Sequence, residues 1–251
     1  MDRSNANPFP QESYKDLFEE EDEHWWFKSR NNLILWILEN KIDTFQDFLE
    51  VGCGTGYVIK GISDKFKAIN LNASEYHEEG LIYARRRLPN CTFTKSDATT
   101  MTEINVYDCI GSFDVLEHIN DDQLVLKNFY RSLRSGGYLL ITVPQHPWLW
   151  SKSDDAAHHV RRYTSSDLIK KARIAGFRIE YKTSFVSFLL PIMAIQRLSS
   201  RNETYDANSE FQISKLLNLI LYCVMSLEIR FLKWGARLPA GGSLLLLARK
   251  I

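Results

Sequence analysis

The stretch DDAAHHVRRYT, residues 154–164, holds two acids, two histidines, two arginines and a tyrosine within eleven positions. Side chains of these types can form a metal site, a general base with its orienting partner, a clamp for an anionic substrate, or a solvated loop. A metal site fits worst. Adjacent His158 and His159 point in different directions along a strand or helix, and no third ligand stands at a matching spacing, so no metal is expected. A base is the stronger expectation, from His158 or His159 with Asp154 beside them. Two further imidazoles follow strand-like runs: His118 in SFDVLEHI (112–119) and His146 in PQHPWLW (144–150). His118 can serve as the base or simply bond a backbone carbonyl; His146 is assigned to the substrate side. Thr164, with Asp167 three positions on, is a helix cap.

A second constellation is FLEVGCGTGY, residues 48–57. An apolar strand ends at Val51, and Gly52, Gly54 and Gly56 turn the chain into a helix. Glycine is needed where the backbone takes positive φ or approaches a ligand closely. In an open α/β sheet such a loop lies at the carboxyl edge, where ligands bind. The spacing G-x-G-x-G departs from the dinucleotide fingerprint G-x-G-x-x-G. Glu50, just before the glycines, opposes a pyrophosphate and favours an ammonium or sulfonium group.

These residues resemble the first motif of the class I methyltransferases that use S-adenosylmethionine. The resemblance runs from about Asp47 to Arg249, with several motifs in order. It implies S-adenosyl-L-methionine as cofactor, held by Glu50 and the three glycines. By family spacing, Glu75 lies about ten residues before the Ala84-Arg85 pair and would accept the ribose hydroxyls. The alternative for Glu75 is a helix N-terminal acid favoured by the dipole. Asp97, in KSDATTM, would accept the adenine amino group, with Ala98 lending a small surface and an amide. Phe113, Asp114, Val115 and Leu116 would wall the methionine end. The HVRRYT run also resembles the family: Tyr163 would pack near the pocket, and Arg161 or Arg162 would meet an acid or an anionic substrate. Family members often carry a lid helix before the first strand, and DEHWWFKSR (22–30) stands there. Trp25 or Trp26 would face the sulfonium, and His24 or Arg30 would reach the cofactor carboxylate or the substrate. The plainer reading is that the aromatics pin the lid.

Elements must position these groups. Strand-like runs occur at 46–51, 67–72, 91–95, 107–113, 137–144, 177–185 and 241–250, with helical patterns between them. Gly136 and Gly137 mark the turn into the fifth run. Alternation at this spacing predicts an α/β fold with a doubly wound parallel sheet. With the resemblance, the expectation is a seven-stranded, mostly parallel, Rossmann-like methyltransferase sheet. Lid helices over 1–45 would precede a cofactor-binding domain over 46–185 and 239–251, and an apolar helical insertion over 186–238 would interrupt it.

The insertion holds two apolar stretches, 186–198 and 211–234, joined by the polar linker 199–210. The second would make a helix of roughly 36 Å, apolar nearly all round from Leu216 to Leu227. Its charges leave it short of a membrane span. Three readings stay open: a cap over the substrate, a homodimer interface or plain core, or an interfacial helix admitting a lipid-linked acceptor at the inner membrane face.

The 31 basic and 31 acidic residues cancel, which argues against nucleic acid as a partner. The acidic run FEEEDE (18–23) reads as a solvated face, and residues 1–12 as a flexible lead. Four cysteines without a C-x-x-C pair fit a reducing compartment, and the polar N-terminus is no signal peptide, so the cytoplasm is the default. The expected function is methyl transfer to an oxygen or nitrogen of a small molecule, with sugars and lipid-linked metabolites among the candidates. The competing expectation is a non-catalytic scaffold that keeps the fold and docks a partner or membrane through 186–238.

Overall fold

A computed structural model describes residues 13–199 and 213–251. The lead expected over 1–12 and most of the linker expected over 199–210 lie outside the described residues. Two helices, α1 (Ser13–Glu20) and α2 (Trp25–Asn40), precede β1 (Asp47–Val51). Then follow α3 (Tyr57–Lys65), β2 (Asn70–Glu75), α4 (Glu78–Arg87), β3 (Thr92–Lys95), β4 (Tyr107–Phe113), α5 (Asp122–Ser132) and β5 (Leu133–Pro144). The chain continues through α6 (Lys152–Ala156), α7 (Ser165–Ile174), β6 (Phe177–Phe185), α8 (Leu190–Ser199), α9 (Lys215–Lys233) and β7 (Ser243–Lys250).

The seven strands form one sheet in the order β3-β2-β1-β4-β5-β7-β6. All neighbours are parallel except β7, which runs antiparallel between β5 and β6. The order reverses between β1 and β4, so the loops leaving their carboxyl ends flank a crevice. Central strands are covered on both faces, which is why they read as near-continuous apolar runs. Successive side chains alternate: Phe48 joins Ile34, Ile37, Ile59 and Ile62 on one face, while Leu49 joins Ile110, Val125, Phe129 and Leu168 on the other.

Two strand boundaries differ most from the sequence pattern. β2 spans 70–75 rather than 67–72, because its asparagines hide the apolar run and pairing with β1 sets the register from Asp47↔Asn70 to Val51↔Ser74. β5 begins at Leu133, not 137. The register jumps from Tyr107↔Leu133 to Cys109↔Tyr138, so the strand bulges where Gly136 takes φ +81°. α2 begins at Trp25 because His24 caps it, Nδ1 accepting from the Trp26 N–H at 3.3 Å. The DDAAHH stretch opens inside the short helix α6, capped reciprocally by Ser151 and Asp154.

The helix expected over 211–234 is α9, capped by the Ser214 hydroxyl. It is sided rather than uniformly apolar: Met225, Ile229 and Leu232 are buried, while Leu216, Leu219, Ile220 and Leu227 are exposed. α9 packs along α2. Asn218 accepts from the Trp25 N–H at 2.8 Å and donates to the Glu23 carbonyl at 2.9 Å. Glu228 is buried and accepts the Ser187 and Phe188 amides at 2.8 Å each, tying α9 to the turn after β6. Pro191 is tolerated because it sits in the first turn of α8. Among the described residues no helix is long and apolar enough to cross a membrane.

Candidate active site

The glycine loop leaves β1 as the spacing requires. Gly52 has φ +75°, and a Cβ there would meet Val115 Cγ2 at 2.3 Å, so the loops after β1 and β4 interlock only with glycine. Gly54 has φ +53° and nothing within 4 Å of a built Cβ, so its face is open. Beneath the loop, Glu50 is buried with Oε2 lacking any hydrogen-bond partner. Burial pushes its carboxyl up to about 8; the Arg30 guanidinium opposes this, and Glu21 and Glu75 add to it.

Glu75 ends β2 and faces the same loop. Its carboxylate accepts from the Gly54, Tyr76 and His77 amides at 2.9, 2.8 and 3.1 Å, and from the Tyr14 hydroxyl of α1 at 3.3 Å. Asp97 follows β3 and caps a short 3-10 turn, Ala98–Thr100, through the Thr99 amide and hydroxyl at 2.8 Å each. Asn128 of α5 pins that turn by donating to the Ala98 and Thr99 carbonyls at 2.9 Å.

The N-terminal helices close over this edge. Glu21 accepts from the Thr55 hydroxyl and pairs with Arg87 at 3.2 Å. It is only 5% exposed, so the acidic run is not wholly a solvated face. Burial holds its carboxyl up to about 7 despite the arginine. Arg30 pairs with Asp114 and lies 4.4 Å from the Trp26 ring centroid. Trp26 thus stacks on a guanidinium, and Arg30 and Asp114, both expected to meet ligands, hold each other. His24, pushed down to about 4 by burial, is a neutral cap rather than a carboxylate partner.

After β4, Phe113 and Leu116 turn into opposite cores, so neither stands as an open wall. Asp114 takes φ +58° and also accepts from the Thr142 hydroxyl at 3.2 Å. The next residues meet the DDAAHHVRRYT stretch: the Val160 amide donates to the Glu117 carbonyl at 2.8 Å. That bond sets the His118 and His159 rings 4.7 Å apart, edge to face. Asp154 is 1% exposed and accepts from Ser151, from His159 Nδ1 at 2.9 Å and from Arg162 Nε at 2.7 Å. Those bonds overcome its burial and hold its carboxyl down to about 2. Asp154 therefore positions His159 rather than facing outward, and Arg162 is engaged internally, its second nitrogen on the Gln145 carbonyl at 3.2 Å.

Tyr163 is fully buried and braces the region, donating to Asp122 at 2.7 Å and approaching the Leu116 carbonyl at 3.2 Å. Arg161 pairs with the same Asp122. His158, at φ +58°, is exposed at the end of the α6 turn. His146, at φ +64°, packs on Trp148 at 5.5 Å, and burial with the Arg162 charge pushes its imidazole down. The absence of a third metal-type ligand, argued from spacing, does not hold in space. Ligand atoms of Glu117, His118 and His159 lie within 4.8 Å of one another. A surface hollow of about 460 Å³ against α7, lined by Ser166, Ile169, Lys170, Arg173 and Ile174, shares no residue with this site.

A family model described as a methyltransferase domain matches residues 9–182, well over half of the chain. The chain belongs to the methyltransferase domain family. A Mycolicibacterium smegmatis protein named "Probable S-adenosylmethionine-dependent methyltransferase" is 25% identical over 162 residues, 63% of this chain and 62% of its own length. The malonyl-[acyl-carrier protein] O-methyltransferase of Bacillus cereus is 33% identical over 100 residues, 39% of this chain and 37% of its own. The chain thus spans under two thirds of either relative. A crystal structure of a SAM-dependent methyltransferase from Thermotoga maritima has a TM-score of 0.60 at 15% identity, covering 96% of this chain and 95% of that one, which supports the shared fold.

With the family goes its cofactor, S-adenosylmethionine, and the residues present fit it. A buried carboxylate with one oxygen unpartnered suits an ammonium, an open glycine face admits close approach, and acids at the end of β2 and just after β3 suit ribose and adenine. Sequence reasoning missed Tyr14, Glu21, Arg87, Glu117 and Asn128. Only Glu117 carried a signal, as the acid beside His118; the others act through partners far along the chain.

Proposed function

We propose that this protein transfers the methyl group of S-adenosylmethionine to an oxygen of a small molecule held beside the loops after β4 and β5. The observation that carries the reading is Glu50, buried under an open glycine face with one carboxylate oxygen, Oε2, lacking a hydrogen-bond partner. When bound, the cofactor supplies a carbon already activated by positive sulfur. The chain's own work is then alignment and exclusion of water, worth up to ~7–11 kcal/mol of the barrier. Glu50 holds the amino group, Glu75 the ribose, and Asp97 the adenine side. Glu117, His118 and His159 offer lone pairs on the acceptor side, where an oxygen must be activated. Asp154 orients His159: an ionised carboxylate only accepts, so Nδ1 carries the proton that it donates to Asp154.

The oxygen assignment draws support from the Bacillus cereus relative, an O-methyltransferase by name. In this reading α1 and α2 form a lid latched by Tyr14–Glu75, Glu21–Thr55 and Arg30–Asp114, and it must loosen to admit ligands. Within the apolar insertion, α9 is a cap carried on the lid through its contact with α2. The test is release of S-adenosylhomocysteine from S-adenosylmethionine with a panel of carboxylic acids, phenols, sugars and amines. Turnover with an oxygen acceptor is expected, falling at least 100-fold in Glu50→Ala. Turnover with amines alone would displace the oxygen assignment.

A further inference from the structure

We propose that Glu117, His118 and His159 form a binding site for a divalent transition-metal ion of the zinc or manganese kind, with coordination positions left for an acceptor oxygen. The inference rests on the methyltransferase reading only for what the ion would do, not for its binding.

Three observations converge. The first is the ligand set. One carboxylate and two imidazoles lie within 4.8 Å of one another. An ion at about 2.1 Å from each would draw tetrahedral ligand atoms to ~3.4 Å apart. Two histidines and one carboxylate leave a fourth position, and more for larger ions, to water or substrate.

The second is the charge balance. Asp114 is paired with Arg30, and Asp154 with Arg162. Glu117, 1% exposed, has Oε2 without a hydrogen-bond partner and no ion pair among the described residues. Ionising a buried carboxyl that has no ion pair is costly, and a divalent cation would supply the missing partner.

The third is the support behind His159. Its Nδ1 donates to Asp154 at 2.9 Å, and Asp154 is fixed by Ser151 and Arg162. A carboxylate behind an imidazole orients the ring and raises the basicity of its other nitrogen, the usual support of a metal-bound histidine. The Val160–Glu117 backbone bond holds the two halves in register. An ion held here would take oxygens of the acceptor, favouring acceptors with two adjacent oxygens that chelate, and would lower the pKa of a bound hydroxyl.

The test uses the full chain, stripped with a chelator and titrated with Co²⁺ by visible absorbance and with Zn²⁺ and Mn²⁺ by calorimetry. One equivalent is expected to bind with a Kd of micromolar or below. Glu117→Gln and His159→Ala should weaken it at least tenfold, and His158→Ala should leave it unchanged. S-adenosylhomocysteine binding, measured on the same samples, reports folding and the cofactor reading separately. No stoichiometric binding by the unaltered chain at millimolar ion would overturn the site. So would binding that survives both ligand variants. Metal binding without S-adenosylhomocysteine binding would sustain the site and refute the methyltransferase reading.

Discussion

Glu50 places a carboxylate oxygen in the protein interior with no donor, and burial raises its carboxyl to about 8. A carboxyl raised in the fold adds stability that is full below its unfolded value near 4.5 and is lost as pH rises through about 8. Glu21, raised to about 7, acts in the same direction. The ligand-free protein should therefore lose stability between pH 5 and 8, as read by urea denaturation, and Glu50→Gln should flatten part of that loss. A cationic ligand reverses the preference. S-adenosylhomocysteine affinity should rise from pH 6 to 8, up to ~tenfold per unit, and the slope should vanish in Glu50→Gln. At Tyr163 the expectation is structural: Tyr163→Phe removes the donor to Asp122 and should cost ~1–2 kcal/mol in thermal or chemical denaturation. Glu50, Asp97 and the glycines were legible because local turn chemistry fixes them. Tyr14 and Glu21 were not, since their partners Glu75 and Thr55 lie far along the chain. Glu117 was half legible: its type stood beside His118, but its juxtaposition with His159 arises only when the chain after β5 folds back.

At the scale of elements, the strands were read from their apolar runs, and β4 and β6 fall where those runs do. β2 slipped because asparagines interrupt its pattern, and β5 because a glycine bulge looks like a turn. The one-sidedness of α9 appears only against its partner α2. Asn218 of α9 bonds both Trp25, at the start of α2, and Glu23 just before it. Asn218→Ala should speed hydrogen exchange across α2 at least threefold while leaving β1 and β4 protected. Glu228→Ala leaves two part-buried amides without their acceptor and should lower stability by ~1–3 kcal/mol, read by chemical denaturation.

At the scale of the molecule, the strand order gathers four loops onto one edge, those after β1, β2, β3 and β4, and the DDAAHHVRRYT stretch folds back onto the residues after β4. Binding to the folded chain alone must raise its stability. At a hundredfold excess over Kd the gain is ~2.7 kcal/mol, and at this chain length each kcal/mol moves the melting midpoint by ~2–4 °C. The measurement that bears most directly on the account is calorimetric titration with S-adenosylhomocysteine at pH 8. One site per chain is predicted, with a Kd at or below tens of micromolar, weakened at least tenfold by Glu50→Gln. No heat and no melting shift at millimolar ligand would contradict it.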